Sequence, residues 1–415
     1  MRTATLILAG LLTMSPSAFS ATNGPSSALT LQQMVDLALN GNPNLIAARA
    51  RWEAMKERPA QQGALSNPML TYKGMDAVNG NDFPDTNEKR LEVEQSFPWF
   101  GKRGLQKDAA AKEAEAMRYE YETMTRDVVM EVKESYFELC SVQKVLGIAR
   151  DEEAVLQRLD KVAESMYSAG QTRQSDVLKA QSELTMLKQK LLETETQEAT
   201  LTAKLDVLLD RRADTPLEIV AEPPAGTIDA GLDALFNSAE TNRAEIARAQ
   251  AELDRSQIEK RLMAKEYYPD YRLGAEYRSF SDNEPDMMMF MVGVDLPVWQ
   301  PKYRAGVREA EKMIESNQSA LEAARKQATL DVKQAHFNVR TAKQSLDLYQ
   351  NTLIPQAKSR FEASEAGYKT GAVDFLDLLE SERFLLNART MEAMAEGNLG
   401  MQIARMERAV GTDLK

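Results

Sequence analysis

Residues 271–296 read YRLGAEYRSFSDNEPDMMMFMVGVDL, and the alternation of polarity along them decides what kind of molecule this is. Leu273, Ala275 and Tyr277 alternate with Gly274, Glu276 and Arg278; after a short polar turn, Met288, Phe290, Val292 and Val294 alternate with Met289, Met291, Gly293 and Asp295. A period of two places successive side chains on opposite faces of a strand, so the stretch is a hairpin with one apolar face and one mixed or charged face. Earlier in the chain Leu91, Val93 and Gln95 alternate with Arg90, Glu92 and Glu94, preceded by Leu70 and Tyr72 across a long polar loop from Asp76 to Asn87. Each strand approaches the ~9 to 11 residues that cross a bilayer obliquely. Four strands cannot close a membrane barrel, because an open edge in lipid leaves backbone groups unpaired. A barrel must then be shared among subunits; two chains would supply eight strands and three would supply twelve, and the wider option leaves an open lumen.

The two hairpins belong to two copies of one unit. Asn42 and Ile46 recur as Asn242 and Ile246, Pro68 as Pro269, Trp99 as Trp299, Val132-Lys133 as Val332-Lys333 and Phe137 as Phe337. Tyr167 with Gly170 recurs as Tyr368 with Gly371, and Asp176 as Asp377, so an offset of about 200 drifts by a residue or two over the whole half. A period this long is a tandem duplication, not a solenoid of small repeats. The chain divides into a first repeat over 21–222, with a helix, a hairpin at about 69–96 and long helices at about 102–212. A linker at 223–229 follows, in the Pro-rich junction Glu222-Pro223-Pro224-Ala225-Gly226. The second repeat, 230–415, repeats the order with a helix, a hairpin at about 271–296 and long helices at about 302–410.

From Lys102 to Ala169 no proline and only Gly104 and Gly147 interrupt the helix formers, which predicts a helix of roughly 100 Å at ~1.5 Å per residue. In the returning helix Val177, Ala180, Leu184, Leu187, Leu191, Thr194, Glu198, Leu201, Leu205 and Leu208 fall at alternating steps of three and four, a heptad seam with two polar positions. Antiparallel coiled coils are the expected packing. Gly170 and Gly371 stand where each hairpin turns, after the helix end. Pro355 has no counterpart in the first copy, where Val155 stands, and predicts a kink or local break.

Composition narrows the chemistry. With 51 basic against 63 acidic side chains the net charge is −12, which disfavours nucleic acid as a partner. One cysteine, Cys140, and one histidine, His336, supply no intrachain disulfide, no Cys/His zinc cluster and no triad built on a well-placed imidazole. No enzyme activity and no cofactor are expected. Residues 1–20 read as a signal peptide, with Arg2, an apolar stretch from Leu6 to Leu12, and Ala18-Phe19-Ser20 before the cleavage point. Beyond residue 20 no apolar run approaches the ~18 residues of a transmembrane helix.

The duplicated helix-hairpin-helix plan resembles the TolC family of outer-membrane efflux proteins. The corner Phe97-Pro98-Trp99-Phe100-Gly101-Lys102-Arg103-Gly104, its repeat Leu296-Pro297-Val298-Trp299 and the two Tyr-x-x-Gly turns carry the likeness. Chain length and that corner are most similar to the CusC and CzcC metal-efflux branch. The resemblance implies a mainly α fold with a membrane β part. It also implies a homotrimer with a twelve-stranded barrel in the outer membrane lipid and a periplasmic α-helical tunnel. A periplasmic adaptor protein and an inner-membrane pump of the RND type would be its partners, and the channel would conduct passively. By position from the glycine, Ser175 and Asp176 match the hydroxyl and acid of the family's first turn. Tyr368, Asp377 and Glu380 match the aromatic and acidic positions of the second, and Gly170 and Gly371 mark the adaptor-docking turns. These five side chains form the expected periplasmic gate and pore ring. The family's basic partner on the second turn is replaced by Val373, and Arg173 on the first turn is the available substitute.

Trp99 and Trp299 flank the strand ends, where indole rings suit a membrane interface. Met287-Met288-Met289-Phe290-Met291 offers soft thioethers, yet the alternation splits them over two faces, so they read as barrel wall and no metal site is assigned. The rival reading is a soluble periplasmic coiled-coil scaffold or adaptor protein, which would need no outward-facing apolar strand residues.

Overall fold

The structure, a computed structural model, describes residues 28–75, 88–212, 216–224, 231–280 and 285–414. The segment read as a signal peptide, the loop from Asp76 to Asn87 and the linker from Ala225 onward lie outside the described residues.

Four strands, β1 (Met69–Met75), β2 (Glu88–Phe97), β3 (Asp270–Phe280) and β4 (Met287–Asp295), form one antiparallel sheet in the order β1-β2-β3-β4. The hairpins of the two repeats are joined along β2 and β3. Register carries each face through the whole sheet, because the side-chain period is two and every pairing keeps like with like. Leu70 lies opposite Val93, Leu91 opposite Tyr277, Leu273 opposite Val292 and Ala275 opposite Phe290. This apolar face is uncovered, with Leu70 65%, Phe290 77% and Val292 75% exposed. The other face is a lattice of ion pairs: Lys73 to Glu92 at 2.9 Å, Arg90 to Glu88 at 2.7 Å, Arg272 to Glu94 at 3.6 Å, with Arg272 also on Asp295 and Arg278 on Glu276. Among the described residues, β1 and β4 each have a strand neighbour on one side only.

Three helices precede β1: α1 (Leu31–Gly41), α2 (Pro43–Lys56) and the short α3 (Arg58–Gln62). The single helix expected there is broken, because the Asn42 side chain accepts from the amides of Asn44 and Leu45 and Pro43 begins α2. After β2 come α4 (Lys102–Ser168) and α5 (Gln174–Leu208). The second repeat opens with α6 (Leu232–Asn242) and α7 (Ala244–Lys265), again split at the matching point. Here the break is held by Arg243, 8% exposed and bound to Asp331 at 2.7 Å.

α4 is a continuous 67-residue helix, ~100 Å long at ~1.5 Å per residue. Its antiparallel partner α5 buries Val177, Ala180, Leu187, Leu191, Thr194, Leu201 and Leu205, seven of the seam positions, with Leu184 partly buried beside them. In the second repeat the chain runs through α8 (Gln300–Leu348), one π turn (Tyr349–Leu353) and α9 (Ile354–Lys369), then returns as α10 (Phe375–Val410). The break falls where Pro355 predicts it, since its ring excludes the regular i−4 hydrogen bond. A π turn holds one more residue than an α turn. That accounts for the repeat offset, which is 200 at Phe137 and Phe337 but 201 at Tyr167 and Tyr368. The extra residue is absorbed at the π turn, which lies between these two pairs of positions.

α4 packs against α5, α7 and α10, and α10 packs in turn against α8 and α9. The α4–α10 contact is close because Gly397 and Gly400 lie on Phe137 and Ser141; a Cβ at Gly397 would stand 2.8 Å from the Phe137 carbonyl oxygen. The chain between the repeats is strapped to the same region. Ile219 bridges Leu29, and the fully buried Tyr136 donates its hydroxyl to the Val220 carbonyl at 2.5 Å while accepting from the Glu222 amide.

Candidate functional site

At the ends farthest from the sheet, α4 turns into α5 and α9 into α10. The turns are built alike. Gly170 and Gly371 take left-handed backbone, φ 71° and 75°, and the following amides return to Met166 and Gly367 at 2.8 Å, closing each helix end. In the second turn Val373 folds back onto Gly367, where a Cβ would meet its Cγ2 at 2.5 Å. An apolar contact thus stands where a basic residue was expected.

Equivalent positions then diverge. Tyr167 is half exposed, whereas Tyr368 is 6% exposed, packs on Phe375 with ring centroids 5.5 Å apart, and joins the cluster of Leu159, Ala163, Val177 and Leu378. Burial and the nearby charge of Asp176 raise the Tyr368 pKa. Asp176, in the first turn of the opposing helix α5, accepts from Thr172 at 2.6 Å and from Ser175 at 3.3 Å, and Lys179 lies 3.5 Å away. Partial burial works against ionisation there, but these donors outweigh it and hold the carboxyl below the usual range. The structure therefore brings Ser175, Asp176 and Tyr368 together within one protomer.

Asp377 and Glu380 sit elsewhere on the tip. They occupy exposed positions on α10, while Phe375, Leu378 and Leu379 of the same turns are buried. Asp374 caps α10 by accepting the Asp377 amide at 2.9 Å, leaving the Asp377 carboxylate at a helix N-terminus that favours negative charge. Arg173 caps α5 through its backbone and, among the described residues, makes no ion pair; the expected substitution by Arg173 is not seen in the protomer. About two turns into α10, Arg383 clamps Glu183 of α5 through Nε at 2.7 Å and a second bond from Nη2, with the Glu380 charge close by. Its only trace in the sequence is the i,i+3 spacing from Glu380.

At the opposite end Trp99 and Trp299, equivalent by sequence, take different roles. Trp99 stacks on Tyr268 and Tyr271 with centroids at 5.1 and 5.6 Å, and its amide donates to Asp270 at 2.7 Å. Trp299 is 73% exposed beside exposed Leu296 and Val298. Met289 and Met291 lie on the ion-paired face, where the Met291 methyl covers Gly274, and Met288 lies on the apolar face with Phe290. Burial pushes the Cys140 thiol up to about 11, so it stays protonated at neutral pH.

No described helix is long and apolar enough to cross a membrane, so among these elements the sheet alone has the pattern of a spanning structure. The family described as Outer membrane efflux protein matches the chain twice, over residues 34–210 and 235–412. The cobalt-zinc-cadmium resistance protein CzcC of Cupriavidus metallidurans is 24% identical over 92% of this chain and 90% of its own length. The outer membrane protein TolC of Vibrio cholerae is 22% identical over 92% and 90%. Among solved structures, CusC superposes with a TM-score of 0.80 at 16% identity over 92% of each chain, and VceC of Vibrio cholerae with 0.77 at 17% over 93% and 97%.

Proposed function

Since the chain belongs to the outer membrane efflux protein family, we propose that three copies close a twelve-stranded barrel and continue it as a helical tunnel. The protein is an outer-membrane efflux channel with a periplasmic helical extension. The observation that carries the trimer is the sheet, which exposes an apolar face, pairs its charges on the other, and leaves β1 and β4 free to meet their counterparts in neighbouring copies. A soluble scaffold would hold the same apolar face against water, which monomeric soluble proteins avoid.

In this reading the ion-paired face lines the pore and the channel does no chemistry of its own. Energy comes from an inner-membrane pump of the RND type, coupled through an adaptor that docks at the turns around Gly170 and Gly371. Three copies of Asp377 and Glu380 would ring the tunnel's periplasmic end with six carboxylates, a filter that attracts cations and repels anions. Metal cations are the cargo we favour; the resistance named for the relative CzcC and the carboxylate ring both support it. The Ser175, Asp176 and Tyr368 cluster would hold the second hairpin against the first in the closed state.

The test is the native mass of the protein extracted in detergent from outer-membrane fractions. A mass of three subunits is expected. A soluble monomer or dimer, with nothing in the membrane fraction, would sink the reading.

A further inference from the structure

At the helix-side end of the sheet a cleft of about 450 Å³ is lined by Leu65, Phe97, Trp99, Tyr271, Leu273 and Arg103, within the ~300–1,000 Å³ of small-molecule sites. Three features single it out. It continues the apolar face of the sheet, because Phe97 ends β2 in phase with Leu91 and Val93, and Tyr271 and Leu273 begin β3 in phase with Tyr277. Its strand residues, Phe97, Tyr271 and Leu273, belong to the inner strands β2 and β3 and not to the β1 and β4 edges where copies would join. Its cation is unneutralised: among the described residues Arg103 pairs with no carboxylate and donates Nε and Nη2 to the Gly63 carbonyl at 3.0 and 2.6 Å. The adjacent Lys102 differs, being 3% exposed and bound to Asp270 at 2.9 Å and Glu266 at 3.5 Å. Exposed Lys107 follows Arg103 one turn later on α4.

The geometry points to a site for one glycerophospholipid of the periplasmic leaflet, its acyl chain along the aromatic cleft and its phosphate on Arg103. The chemistry recognised is an apolar tail joined to an anionic head at the depth where the hydrocarbon ends. Phe100, 78% exposed at the cleft mouth, and the Trp99 stack form the aromatic layer that membrane proteins place at this depth. Lipopolysaccharide also carries tails and phosphates, but it occupies the outer leaflet, at the hairpin-loop end of the strands. The assignment rests on the outer-membrane reading and adds to it a lipid held in place at each subunit.

Native mass spectrometry of the detergent-extracted trimer, with phosphatidylglycerol or phosphatidylethanolamine added back, tests it. The wild-type trimer is expected to retain up to three phospholipids. Arg103→Gln should weaken retention about tenfold, the scale of a lost charge-assisted contact. Leu65→Trp, which fills the cleft and keeps Arg103, should also weaken it, so a folding defect in one variant leaves the other as evidence. Retention by both variants equal to wild type, or retention of lipopolysaccharide alone, overturns the site. A trimer that holds no lipid overturns the site and leaves the channel standing; a protein absent from the membrane fraction overturns the channel reading itself.

Discussion

Glu152 is a carboxylate at a seam position of α4, between Ala149 and Leu156, 5% exposed and with Oε1 unpartnered. Desolvation, opposed by the charges of Arg389 and Arg158, pushes its pKa up to about 7. The folded state therefore keeps a proton that the unfolded chain, titrating at ~4.3, has lost. Stability from this group is fully present below ~4.3 and is lost as pH rises through about 7, a fall on the order of 3 kcal/mol. Glu152→Gln should remove that slope, raising the thermal midpoint at pH 8 while leaving it nearly unchanged at pH 4; parallel pH profiles of variant and wild type would show that another group titrates. Asp377 makes a different kind of prediction. It is exposed at the tip and contributes little to packing, so Asp377→Lys should leave assembly intact and shift a bilayer recording from cation toward anion preference. Unchanged selectivity would remove Asp377 from the pore ring.

Among the elements, α4 and α10 meet closely at Gly397 and Gly400. Gly397→Ala would drive a methyl into the Phe137 carbonyl and Ser141, atoms that cannot swing aside, so the helices must separate. We expect a loss of about 1–3 kcal/mol, the range for overpacking, read as a lowered unfolding midpoint in detergent. Element by element, the sequence was most legible where one periodicity governs one surface. The alternation of Leu273 to Val294 anticipated the sheet's two faces, and the α5 seam from Val177 to Leu205 is the buried stripe. Pro355 anticipated a break in the second long helix, though not that the break would be a π turn. The Arg383–Glu183 clamp was not legible, because it joins two helices 200 residues apart in sequence and depends on how they rotate against each other. The same limit hid the burial of Tyr368, since its twin Tyr167 has the same local sequence signal and only tertiary packing separates them. The breaks at Asn42 and Arg243 were missed because the helical pattern resumes at once after each.

At the scale of the whole molecule, duplication supplies two near-equivalent hairpins and two near-equivalent helical turns, and divergence then assigns them different work. Trp99 is stacked and Trp299 exposed; Tyr368 is sealed and Tyr167 open. Three copies of such a chain give six similar units around the tunnel with only threefold identity. Of all these features, the unmatched edges of β1 and β4 reach furthest. No single polypeptide can complete its own sheet in lipid, so inheritance of this protein is collective. In a cell expressing equal amounts of a sound allele and one that assembles but cannot conduct, about one trimer in eight is wholly sound if copies mix freely. A mutation that blocks conduction but spares the sheet is therefore expected to be genetically dominant, whereas one that breaks the sheet removes itself from the pool and is expected to be recessive.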